Sequence, residues 1–296
     1  MPTGLWSIVL AAGAGRRLAA LTGGVPKQFW RPDRGPSLLG TTLGRLAPLS
    51  PPENTVVIVD KSHRSHVDAL SSAVVGTVLF QPGDRGTATG VLMALMPVLE
   101  ADPNAIVIVT PSDHGIVDDE RFRRGVLEAS GAVKGGDRVV LFGVQPTRAN
   151  DDYGWIVPEG ALGRARLRPV RAFVEKPPAA VARQLLDAGA VWNTMVVVAR
   201  AATLRALYAE HLPGLAGVFD DALRYSLVDR EHFLSGAYPA LPSWDFSRDL
   251  LTPARNLVVY TWPEGIGWSD LGTPDRLQSW LNWRAGAHLP CATDVA

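Results

Sequence analysis

The stretch "IVLAAGAGRR" (residues 8–17) is an apolar run that stops at Gly13 and Gly15 and passes at once into two arginines. A β-branched run closed by glycines reads as a buried strand, ending at Ala11, and a tight turn. Glycines in such a turn let backbone N–H groups point into one concavity and nest an anion. The helix expected to follow would add its positive end. Arg16, Arg17 and, farther on, Lys27 bring more positive charge than the pyrophosphate diester of a dinucleotide requires, and suit a triphosphate. The dinucleotide fingerprint also needs a third glycine and an acidic residue closing the second strand, for which Asp60 sits too far along. A Walker loop needs Gly-Lys-Ser/Thr, which is missing. On the loop alone, a triphosphate cradle and a plain strand–turn–helix with solvated arginines stand even.

The rest of the chain decides the fold class. "SIVLAA" (7–12), "TVVIVD" (55–60), "GTVLFQ" (76–81), "AIVIVT" (105–110) and "RVVLFGV" (138–144) read as buried strands. Residues 63–74, 87–101 and 119–133 between them read as helices, the last with Asp118 or Asp119 as N-cap. Alternating βα units imply a parallel, doubly wound α/β sheet whose ligands lie beyond the carboxyl ends of its strands. From about residue 146, strands in "YGWIVPE", "PVRAFVEKP" and "TMVVVAR" and helices over 178–189 and 201–236 read as an extension of that sheet carrying a substrate pocket. The expected organisation is one domain over 1–296: a nucleotide-binding half to about 145, a second half to about 275, and a C-terminal helix and tail over 276–296.

Composition narrows the function classes. Lys plus Arg and Asp plus Glu both number 29, so no basic excess points to nucleic acid or a membrane surface. The one cysteine, Cys291, excludes an intramolecular disulfide and fits a reducing, cytoplasmic setting. No run reaches the roughly 20 apolar residues of a membrane span. A homo-oligomer is left open.

The polar residues at strand ends carry the chemistry. In "FQPGDRGTATG" (80–90), Gln81 has an amide for a base edge, and Gly86 and Thr87 allow close approach of a nucleobase or ribose. Alone, the stretch is a turn with Thr87 capping a helix. In "AIVIVTPSDHG" (105–115), Asp113 follows an apolar strand at its ligand-facing end, where a carboxylate can hold Mg²⁺ or simply form an Asx-turn. In "GWSDLGTPDRL" (267–277), Thr273-Pro274 already supplies a helix cap, which frees Asp270 for a second metal contact. In "AFVEKPP" (172–178), Glu175 can accept from sugar hydroxyls and Lys176 can neutralise a phosphate, the plain alternative being an exposed ion pair. Asn193 in "VWNT" (191–194) suits a sugar hydroxyl, with Trp192 in the core. His114 reads as structural, and His63 and His66 as residues of a solvated helix.

A phosphate nest, arginines, lysines and two separated aspartates together suit transfer of a nucleotidyl group from a nucleoside triphosphate to a phosphorylated acceptor. In that light the series "LAAGAGRRL", "PKQF", "DRGTATG", "PSDH", "FGVQPTR", "YGWI", "FVEKP", "WNTMVVV" and "GWSDLG" resembles the sugar-1-phosphate nucleotidyltransferases, and within them the mannose-1-phosphate guanylyltransferases. The resemblance runs from about residue 8 to 275. It implies the Rossmann-like mixed sheet flanked by helices of the nucleotide-diphospho-sugar transferases, and NTP (GTP first) plus sugar 1-phosphate (mannose 1-phosphate first) as small-molecule substrates. It implies that Ala11, Ala12, Gly13, Ala14, Gly15, Arg16 and Ser112 bind the nucleotide, with Gln81, Arg85, Gly86 and Thr87 around the base. It further implies Arg17, Lys27 and Lys176 as catalytic cations, Mg²⁺ between Asp113 and Asp270, and Gly154, Glu175 and Asn193 on the sugar.

The chain departs from that pattern at several places. Ala12 and Arg16 stand where the family usually has Gly and Thr, Gly86 for Asn, Thr89 for Pro, and Asp152 and Met195 for glycines near the sugar pocket. "AAGAGRR" and "PKQF" also resemble the cytidylyltransferases that act on methylerythritol phosphate, but "FVEKP" and "WNTMVVV" are not expected in those shorter proteins. A non-catalytic nucleotide-sugar sensor is the alternative outside the enzymes; it would not need both metal carboxylates.

Overall fold

The computed structural model describes residues 4–67, 76–160 and 165–285. Its centre is one nine-stranded sheet. The strands are β1 (Leu5–Ala11), β2 (Thr55–Asp60), β3 (Thr77–Gln81), β4 (Ile106–Pro111), β5 (Val139–Val144), β6 (Gly154–Pro158), β7 (Leu167–Glu175), β8 (Val191–Arg200) and β9 (Leu257–Thr261). Their order is β3-β2-β1-β4-β8-β5-β9-β7-β6, with a further pairing of β6 to β8.

The part of the sheet that the alternating pattern describes best is parallel: β3, β2, β1 and β4 all run the same way. β5 does not lie beside β4. β8 returns antiparallel to both and lies between them. Both faces of β4, β5 and β8 are buried, so all three read as the same continuous apolar run, and such a run carries no information about which neighbour it pairs with. β9, which the sequence pattern does not single out, pairs parallel with β5.

Each face of the sheet carries its own core. Helices Gly86–Ala101, Ala201–His211 and Pro213–Ala222 cover one face. Helices Leu38–Leu46, Asp119–Val133 and Ala179–Asp187 cover the other. Asp118 caps its helix by accepting from the backbone N–H of Arg121, and Thr273 caps Pro274–Arg284 in the same way. The helical stretch over 201–236 divides in three, with Pro213 starting the second piece, since proline cannot continue the i→i−4 ladder. Of the helix expected over 63–74, His63 ends a 3₁₀ turn and Arg64–Val67 is helical; residues 68–74, like the tail beyond 285 with Cys291, lie outside the described residues.

Chain order places the site. From β1 the chain moves outward through β2 and β3, then crosses back to β4 on the other side of β1. Between β1 and β4 the strand order reverses, and at such a switch point the loops leave in opposite directions and open a crevice.

Candidate active site

A cavity of about 520 Å³ opens at that crevice. Ala12 and Gly13 after β1, Asp60 and Gln81 at the ends of β2 and β3, and Ser112 and Asp113 after β4 all line it. Gly86 and Thr87 close one side.

The loop after β1 is held differently from expectation. No long helix follows it: a 3₁₀ turn, Arg16–Leu18, leads into a single α-turn, Ala19–Thr22, stopped by Gly23 in the left-handed region. One turn sums few peptide dipoles, so a helix end contributes little positive potential here. The shape comes from side chains and close packing. The Nε2 of buried Gln28 donates to the carbonyl oxygens of Ala11 (2.7 Å) and Gly13 (2.9 Å), tying the loop to one amide. Gly15, at φ 62°, packs against Lys27, and a Cβ on it would lie 2.8 Å from the Lys27 nitrogen. Sequence reasoning missed Gln28, although it sits inside the quoted "PKQF". His63 is likewise not solvated. It is 7% exposed, edge-on to Phe29, with Nδ1 3.4 Å from Gln28 Nε2, and burial pushes its imidazolium below the ordinary range.

The charged centre is Lys27. Its side chain is 7% exposed, and Nζ lies 3.1 Å from Asp113 Oδ2 while donating to the main-chain carbonyl of Asp270. One buried ammonium thus joins the two loops that carry the sequence-derived aspartates. The Asp270 carboxylate accepts from the Tyr153 hydroxyl (2.9 Å), the Gly272 N–H (3.2 Å) and Arg276 (3.0 Å). Burial opposes its charge, yet His114, Arg276 and these hydrogen bonds hold its carboxyl below the usual range. Arg276 also reaches Asp152 (3.1 Å) and lies over the Tyr153 ring. Asp152 and Arg276 are therefore part of the Asp270 support; no spacing rule in the sequence connects them. Arg17 is exposed, and its guanidinium approaches Gly272, 3.3 Å from where a Cβ there would lie.

Gly154, Glu175 and Asn193, the residues expected on the sugar, meet. A Cβ on Gly154 would fall 2.5 Å from Glu175 Oε2 and 3.3 Å from Asn193 Cβ, so only glycine leaves both side chains in place. Burial, reinforced by Asp245, pushes the Glu175 carboxyl above its usual range, against the pull of Lys176 at 3.6 Å. Asp245 and Arg248, which the sequence reading passed over, line the cavity with Asp113 and act electrostatically on Glu175.

Other expected contacts are already taken within the protein. Arg85 does not line the cavity: its guanidinium donates to the carbonyls of Tyr238 (3.0 Å), Pro239 (2.8 Å) and Asp84 (3.0 Å). Gln81 donates to the Tyr238 hydroxyl (2.9 Å), leaving its carbonyl and second N–H. The Ser112 hydroxyl donates to Leu10 O at 2.7 Å. Thr87 is not the helix cap, because its hydroxyl accepts from the Phe246 N–H at 2.8 Å.

Gly86 is needed chiefly for the protein's own backbone. At φ 79°, a Cβ on it would lie 2.7 Å from the carbonyl carbon of Trp244. Gly86→Ala is expected to destabilise by at least about 2 kcal/mol, combining left-handed strain with overpacking. Thermal unfolding would check this, and an unchanged midpoint would show that Trp244 can retreat freely.

Among the described residues the non-glycines with positive φ are Lys176 (45°), Met195 (59°) and Leu271 (49°). Lys176 and Leu271 adjoin Glu175 and Asp270, and Met195 lies two residues after Asn193. Backbone strain of this kind persists where surrounding structure over-determines it, and clusters at functional sites.

The model of the family described as "Nucleotidyl transferase" matches residues 6–282. The chain belongs to the nucleotidyl transferase family. Among curated relatives, a mannose-1-phosphate guanylyltransferase of Sinorhizobium fredii is 29% identical over 93% of this chain and 54% of its own length. One of Salmonella muenchen is 30% identical over 90% of this chain and 57% of its own. The chain thus spans about half the length of these relatives. A solved structure described as mannose-1-phosphate geranyltransferase, from Thermus thermophilus, superposes with a TM-score of 0.82 at 30% identity, covering 94% of this chain and 79% of that one. An inositol-1-phosphate CTP transferase from T. maritima shares the fold at a TM-score of 0.60 and 15% identity, over 96% of each chain. The mixed sheet with flanking helices is the nucleotide-diphospho-sugar transferase fold. Among the described residues no helix is long and apolar enough to cross a membrane.

Proposed function

We propose that this chain transfers a nucleotidyl group from a nucleoside triphosphate, GTP first, to a sugar 1-phosphate, mannose 1-phosphate first, releasing pyrophosphate. The observation that carries the reading is the buried lysine that joins the Asp270 loop to Asp113, which lines the switch-point cavity. The relatives' names support the choice of GTP and mannose 1-phosphate.

A phosphate oxygen of the acceptor attacks the α-phosphorus of the triphosphate. That P–O bond forms as the bond from the α-phosphorus to the oxygen bridging to the β-phosphate breaks, and pyrophosphate leaves with both electrons. A phosphate monoester has a second pKa of about 6, so the attacking oxygen is already anionic and no general base is required. Catalysis then rests on alignment and charge neutralisation. The loop from Ala11 to Arg16 cradles the triphosphate, Arg17 and Lys27 neutralise it, Gln81, Gly86 and Thr87 border the base, and Lys176 holds the acceptor phosphate. Glu175 and Asn193 accept from or donate to sugar hydroxyls beside Gly154.

The chemistry of the donor set fits Mg²⁺: two carboxylates, one kept ionised by its neighbours. Asp113 and Asp270 would hold it, Asp113 being the less engaged of the two. When bound, it would neutralise charge on the triphosphate.

The test is pyrophosphate release from each of the four NTPs with mannose, glucose and N-acetylglucosamine 1-phosphates. Turnover is expected to be fastest with GTP and mannose 1-phosphate. Release with a different pair would move the substrate assignment, and no release from any pair would favour a nucleotide-sugar sensor.

A further inference from the structure

We infer that Met195 sets acceptor specificity, by placing an apolar wall against the sugar where it admits a C–H or methyl group and rejects a hydroxyl. The inference rests on the reading of the site as that of a sugar-phosphate nucleotidyltransferase.

Three independent features put Met195 there. Pairing of β5 with β8 jumps from Leu141↔Val197 to Gly143↔Asn193, so Thr194, Met195 and Val196 face Phe142 alone. A bulge of this kind re-aims a side chain that regular alternation would send elsewhere. Thr194 anchors it, donating to the Phe142 carbonyl at 2.7 Å. Second, Met195 holds φ 59°, a conformation disfavoured for a residue with a Cβ. Third, the side chain lines the cavity, and its thioether is fixed by the hydroxyl of buried Ser247 at 3.1 Å.

The neighbours identify which part of the ligand it meets. The Met195 N–H donates to Asn193 Oδ1 at 3.2 Å, so the strained residue also orients the amide beside Glu175. Asp245 and Arg248 flank it on the cavity wall. Met195 is thus an apolar element beside Asn193, Asp245 and Arg248, polar groups suited to hydroxyls. A thioether donates no hydrogen bond and accepts weakly, and here Ser247 already donates to it. A sugar hydroxyl pressed against it would lose its water and gain no partner. A C–H or methyl at the same carbon loses nothing.

The test compares kcat/KM for mannose 1-phosphate and its monodeoxy analogues in wild type, Met195→Gly and Met195→Ala. At least one deoxy analogue is expected to match or outperform the parent in the wild type. Met195→Gly, which suits the left-handed backbone, is expected to shift that ratio toward the parent by about tenfold or more, on the scale of hydroxyl discrimination in apolar pockets. Met195→Ala should shift it in the same direction, and guards against a folding effect specific to glycine. A ratio unchanged in both variants overturns this inference and leaves the functional reading standing. No pyrophosphate from any acceptor with any protein overturns the functional reading and this inference together.

Discussion

Asp113→Asn is expected to leave the fold intact and to lower kcat by about 10³-fold or more, the scale of removing one preorganised charged group from a reaction centre. The side chain stands just beyond β4, 31% exposed and 3.1 Å from the Lys27 ammonium. The amide is nearly isosteric, so packing is kept. What changes is charge: an amide attracts neither the ammonium nor a divalent cation as a carboxylate does. Pyrophosphate release, read beside far-UV circular dichroism and thermal unfolding, separates the two effects. Near-normal release from the folded variant would remove Asp113 from the reaction.

Lys27→Met is expected to cost activity and stability together. Its ammonium joins the Asp113 carboxylate to the Asp270 main chain across the crevice. Breaking a buried pair by removing one partner costs several kcal/mol when the remaining charge is sealed from water. Asp113 is about a third exposed, so screening reduces the expected loss to roughly 1–2 kcal/mol. At about 2–4 °C per kcal/mol for a chain of this size, the unfolding midpoint should fall by a few degrees. Turnover should fall by about 10²–10³-fold. A variant that loses stability and keeps turnover would make Lys27 a fastener only.

The two predictions differ because the residues were legible in different ways. Asp113 follows a fully buried, largely apolar strand and precedes a turn, a place where an α/β sheet presents ligands, so its position follows from local pattern alone. Lys27 was legible as charge near the loop after β1, but its role as a bridge needs Asp270, 243 residues away in sequence. The parallel part of the sheet was readable because each βα unit is local. The insertion of β8 between β4 and β5 was not, since buried strands look alike whichever neighbour they take. Tyr153 escaped because it acts on Asp270, 117 residues away. Gln28 and Arg276 lie nearer their partners in the chain, but each acts through a carbonyl or carboxylate that no spacing rule connects to it. Met195 was visible as a departure where a glycine is usual; that the backbone there is left-handed and bulged emerges only from the register of β5 and β8.

The central claim is that the α-phosphoryl group moves to a sugar phosphate. GTP carrying label on the α-phosphorus, incubated with Mg²⁺ and mannose 1-phosphate, tests it most directly. The label is expected in a sugar nucleotide formed in equal amount with unlabelled pyrophosphate, and only when the acceptor is present. Label appearing instead in GDP, with release of inorganic phosphate, would mean cleavage at the γ-phosphate and would contradict the account.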